Sequence, residues 1–129
     1  MPSRVVSAEG EPHPAGPFAP ATLATGTRIL SVSGQVAEGP DAEEQAQKCL
    51  CAIDGLLAAA GATRTDVVRI GVFFTDMADR AAVARARSEY FGDHKPASTL
   101  VQVAALVSTR PQSRDRSDTR LLTPRRSGG

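Results

Sequence analysis

The chain has 129 residues, 41% hydrophobic and 22% charged, with a formal net charge of +1. That describes one soluble globular domain with its own core, and no stretch nears the ~20 apolar residues of a membrane span. Arg4, Glu9 and Glu11 without an apolar run argue against a signal peptide, and two cysteines are too few for a metal or disulfide framework, so the expectation is a cytoplasmic protein without metal or cofactor.

Residues 4–7 read as a short edge strand. Residues 9–20, with four prolines and two glycines, read as a loop that contains His13 and Phe18. Residues 27–35 alternate, with Ile29, Ser31 and Ser33 against Leu30 and Val32, and form a strand running into Ser33-Gly34-Gln35. Residues 22–25, joined to it by Gly26-Thr27, are its expected hairpin partner.

Asp41 opens a helix as its N-cap, with Glu44 at the capping-box spacing. Ala46, Cys49, Leu50, Ile53, Leu57 and Ala60 fall on one stripe, and Gly61 stands where a C-terminal cap belongs. Cys49 and Cys51, two apart, face opposite sides of this helix, so they differ in burial and do not pair. Residues 65–75 are strand-like, with Val68, Ile70, Val72 and Phe74 on one face. Asp76 or Asp79 then caps a second helix reaching about Phe91, with Val83, Ala86, Tyr90 and Ala82 inward and Gly92 at its end.

Residues 95–106 follow. Pro96 fixes an extended start, and Leu100, Gln102 and Ala104 alternate with Val101, Val103 and Ala105, mostly apolar on both faces. This pattern predicts a central strand covered on both sides, with Ser98, Thr99 and Gln102 at its polar end lining a pocket. Strands and helices in this order predict one sheet with both helices on one face.

Beyond residue 107 the character changes. Six arginines stand against Asp115 and Asp118, a net +4 that leaves −3 on the rest, and Leu121 and Leu122 are the only large apolar residues. The division is a domain over 1–107 and a basic tail over 108–129. Three origins stay open for that tail: residues 114–122 form a polar strand, the segment is disordered, or the coding frame shifts near Ser108. A nucleic-acid role for it carries less weight than a solvated end, because no aromatic residue there can stack on a base.

Ser98 or Thr99 as a nucleophile needs a base nearby, and the two histidines, His13 and His94, both sit in expected loops. Arg28, Arg69, Arg85 and Arg87 are possible anion ligands, although solvated or paired arginines are commoner.

Taken together, Gly16-Pro17-Phe18, Ser33-Gly34-Gln35, Ala59-Ala60-Gly61, Val72-Phe73-Phe74-Thr75-Asp76-Met77 and the run from Tyr90 through Lys95-Pro96-Ala97 resemble the RidA/YjgF family over about residues 12–106. The resemblance implies an α+β, chorismate mutase-like fold: a single mixed sheet with two helices on one face. It also implies a homotrimer whose small-molecule clefts lie between subunits, and hydrolysis of imines and enamines. Phe18, Ser33, Gly34, Ser98, Thr99 and Gln102 are the expected cleft residues. The chain departs from the family at Ser98, where deaminating members carry an arginine that grips the substrate carboxylate. It departs again at Ala84, in place of an asparagine, at Phe18, in place of a tyrosine, and in the last strand with its glutamate. A hydroxyl offers one donor and no charge, so the expected ligand is neutral or less acidic than an amino-acid imine. Deaminase-like hydrolysis and plain metabolite or partner binding both stay open.

Overall fold

The computed structural model describes residues 3–10, 16, 18–107 and 119–127, the last segment by its backbone. Six strands and two helices follow in order: β1 (Ser3–Val6), β2 (Ala21–Ala24), β3 (Arg28–Val36), α1 (Ala42–Ala59), β4 (Arg69–Phe74), α2 (Arg80–Phe91), β5 (Ala97–Gln102) and β6 (Thr119–Ser127).

The first helix begins where its capping chemistry is. Asp41 is extended, and its Oδ1 accepts the Glu44 backbone N–H at 2.9 Å. Gly61 follows the helix at φ +76°, a conformation that costs a glycine little. Removing the cap carboxylate as Asp41→Ala should cost about 1 kcal/mol in chemical denaturation, at unchanged slope. On the inward stripe Ala46, Cys49, Leu50, Ile53 and Leu57 are buried as the spacing predicts, joined by Ala42 and Gln45. Cys51 is exposed and both cysteines are free.

β4 begins at Arg69, later than the apolar run suggested. Thr63 and Asp66 form a capping box around a 3-10 turn over Arg64–Asp66, which takes Thr65 and Asp66 out of the expected strand. A second such turn, Met77–Asp79, is capped by Asp76 and leads into α2. Ile70, Val72 and Phe74 face the helices and form the core with the inner face of α1 and with Val83, Ala86 and Phe91 of α2. Tyr90 ties the helices together, its hydroxyl donating to Asp54 Oδ1 at 2.6 Å.

The main sheet runs β3-β6-β4-β5. β5 lies parallel to β4 across the α2 crossover, while β6 is antiparallel to both β3 and β4. Three expectations change here. β5 is an edge strand, not a central one, and Thr99, Val101 and Gln102 are exposed. The central place belongs to β6, formed by a segment with almost no apolar pattern. Its Pro124 lies two residues past the last pair with β4, where β6 has only β3 beside it and a missing N–H is tolerable. Finally, β2 pairs with β1 in a separate two-stranded sheet, not with β3, because β1 takes all four of its residues in register. Thr22 Oγ1 donates to Val68 O at 2.7 Å and ties that hairpin to the approach to β4.

Among the described residues no helix is long and apolar enough to cross a membrane.

Candidate functional site

The register of β4 with β5 decides which β5 side chains turn toward the helices. Ser98 lies opposite Ile70 and Leu100 opposite Val72, both core-facing positions, so Ser98 and Leu100 share the helix side. Thr99 and Val101 face the other way. Between the helix side of β5 and α2 lies a cavity of about 500 Å³. α2 contributes Arg80, Ala81, Ala84 and Arg87, and Met77 comes from the turn before it.

Gly16 and Phe18 close the cavity from the loop side. That loop is anchored where β5 starts: Ala19 N–H donates to Pro96 O at 3.1 Å, and Ala19 bridges to Ala97. The Phe18 ring lies over the backbone of residue 16, where an added Cβ would come within 2.8 Å of it. Glycine at 16 therefore lets the ring reach the cavity wall.

The deepest polar group is Arg87. It is only 2% exposed, and its Nη1 donates to Ser98 Oγ at 2.8 Å. Burial lowers its pKa well below the ordinary guanidinium value, to about 10. That drop corresponds to about 3 kcal/mol against the charged form, yet leaves the guanidinium protonated at neutral pH. The position after Pro-Ala is thus not an uncharged place, as Ser98 alone suggested: a guanidinium reaches it from α2. Arg80, exposed at the mouth, forms no hydrogen bond or ion pair through its side chain among the described residues. No acidic side chain and no histidine lines the cavity among those residues.

The six expected site residues separate. Phe18 and Ser98 line the cavity. Thr99 is on the opposite face, its Oγ1 accepting from Arg69 Nη2 at 3.2 Å. Gln102 sits at the strand end, where Oε1 accepts the Met77 N–H at 2.8 Å and so fixes a lining residue without lining the cavity itself. Ser33 and Gly34 form a β-bulge in β3, two residues set against Leu122 of β6. They are three strand spacings, about 14 Å, from Thr99 within one chain. His94 is engaged with Val67 O at 2.7 Å, and His13 lies outside the described residues.

Arg85 is exposed and paired with Glu43 at 3.4 Å. Arg87 is the residue that sequence reasoning undervalued. Its signal was spacing, four residues after Val83 and four before Phe91, which sets a charge on the apolar face of α2.

A protein-family profile described as "Endoribonuclease L-PSP" matches residues 8–111. The chain is 36% identical to the 2-iminobutanoate/2-iminopropanoate deaminase of Capra hircus, over 80% of this chain and 80% of that protein. It is 34% identical to the 3-aminoacrylate deaminase RutC of Acinetobacter baylyi, over 80% and 86% respectively. The crystal structure of YyfB from Yersinia pestis, described as of unknown function in the conserved Rid protein family, superposes with a TM-score of 0.82. It is 27% identical and the match covers 98% of this chain and 99% of that one. The backbone likeness thus extends past residue 111, where the profile match stops.

Proposed function

Because this chain belongs to the RidA/YjgF family, matched here by the profile described as Endoribonuclease L-PSP, we propose that its cavity binds small carboxylate-bearing imines or enamines and promotes their hydrolysis. The observation that carries this reading is the buried Arg87 guanidinium held on Ser98 Oγ inside the cavity. A guanidinium fork suits a carboxylate, and a site shielded from water strengthens that attraction. This reading sets aside the expectation of a neutral ligand, because a guanidinium reaches Ser98 from α2. Two relatives are named for deamination of imino or aminoacrylate substrates, which supports the reaction class. In that reaction water adds its oxygen to the imine carbon while the nitrogen takes a proton. The C–N bond then breaks, giving a keto acid and ammonia.

The reading includes assembly. Within one chain the bulge at Ser33-Gly34 is too far from Ser98 to share a ligand with it. A neighbouring copy in a homotrimer brings such residues to the cleft edge, and the helix-free sheet face, where Ile29 is 74% exposed, offers a surface for it. Light scattering that gives three chains per particle supports this; a monomer removes the intersubunit cleft.

A second reading rests on the absence of an acid or base among the described lining residues: the cavity binds the same carboxylates without turning them over. A nucleic-acid arm loses part of its premise, since Thr119–Ser127 is a paired sheet strand and not a free tail.

The deciding experiment generates 2-imino acids in situ with an amino-acid oxidase and follows ammonia release. Release above the uncatalysed rate supports hydrolysis. No acceleration, with the melting temperature still raised by the corresponding keto acids, favours the binding reading.

A further inference from the structure

Arg80 and Arg87 are seven residues apart on α2, so they share one helix face about 10.5 Å apart along the axis. Both reach the same cavity, one at its exposed mouth and one at its buried floor. Ala81 and Ala84 lie between them and keep that wall low. Ser98 fixes the inner guanidinium through its Oγ. Two guanidiniums with no carboxylate among the described lining residues make a wall of formal charge +2, whose complement is a ligand with a negative group at each end.

We propose that this cavity selects short dicarboxylates, with one carboxylate on Arg87 beside Ser98 and the second on Arg80 at the mouth. The proposal deepens the small-molecule reading above and rests on it. Arg80 is then a specificity-determining residue and Ser98 a positioning residue. Leu100 and Phe18 contact the methylenes between the two charged ends. A monocarboxylate occupies the inner subsite and leaves the outer guanidinium to water. The class of reaction that supplies such a ligand is two-electron oxidation of an acidic amino acid, in which a hydride acceptor takes the hydrogen of the amino-bearing carbon and the nitrogen loses a proton, leaving an imine between two carboxylates.

The test is calorimetric titration of the full chain with glutarate and with pentanoate, which share a five-carbon chain but differ in the second charge. Glutarate is expected to bind about tenfold more tightly, the gain of one hydrogen bond to a charged group. That gap should narrow as salt rises, because the outer arginine is exposed. Arg80→Gln should erase the gap, whereas Arg85→Gln, on the same helix but outside the cavity, should preserve it. Equal binding of the two acids, or a gap that persists in Arg80→Gln, overturns the dicarboxylate proposal while the cavity reading stands. Failure of both acids to bind overturns both. Arg80 is exposed, so its replacement is not expected to disturb folding, and thermal melts of each variant check that directly.

Discussion

A chain cut after Asp118 does not fold. Its residues up to Val107 contain every large buried side chain identified in the core, and an accounting of apolar area alone would pass it as stable. The backbone decides otherwise. β6 pairs with β3 at seven positions and with β4 at four, and removing it opens a strand-wide gap in the middle of the sheet. The N–H and C=O groups that lose partners sit beside Ile70, Val72 and Phe74, all fully buried, where each unpaired group costs about 1–3 kcal/mol. About five such losses match the roughly 5–15 kcal/mol that holds a typical domain together. The expected result is no cooperative thermal transition and loss of near-UV dichroism. A truncated chain melting cooperatively within a few degrees of the full-length protein would show that β3 and β4 close on each other without β6.

The second large effect separates binding from stability. Arg87→Met should lower carboxylate affinity about a hundredfold while leaving the melting temperature equal to or above that of the parent. Affinity falls because the ligand loses a buried, charge-assisted donor. Stability does not fall, because a buried cation carries a desolvation penalty that an apolar side chain of similar length avoids. The pH dependence has the same origin. Arg87 has a folded pKa of about 10, below that of the ordinary group, so the unfolded chain binds its proton more tightly. Its penalty on folding is fully present well below pH 10 and is relieved as pH rises above about 10. Carboxylate affinity runs the other way, holding up to about pH 10 and falling above it as the guanidinium loses its proton. Pairing the variant with Ser98→Ala tests the coupling: if the two residues act as one unit, the double variant binds no worse than Arg87→Met. A destabilised Arg87→Met that still binds carboxylates at parental affinity would assign Arg87 a structural role only.

Local chemistry in the sequence determined a great deal. The cap at Asp41, the apolar stripe through Ile53 and Leu57, the glycines at 61 and 92, and the alternation of Ile70, Val72 and Phe74 each act over a few residues, so their elements are legible where they stand. The family was legible for a related reason, as its motifs lie at turns and element ends, where few residue types fit.

What only tertiary structure decided is pairing and depth. The segment that became β6 has arginines at 120, 125 and 126 and a proline at 124, so nothing in its hydrophobic pattern marks a strand. It is held because β3 and β4 each present an open edge, and backbone hydrogen bonding does not depend on which side chains the partner carries. The same indifference made β5 an edge, although its composition suggested the centre. Arg87 reads as one of several helix arginines until β4 fixes the register of β5 and turns Ser98 toward α2. The charge of the cavity is therefore set by contact between residues eleven positions apart, one on a helix and one on a strand. No pattern along the chain encodes that meeting, because it depends on how the helix crosses the sheet.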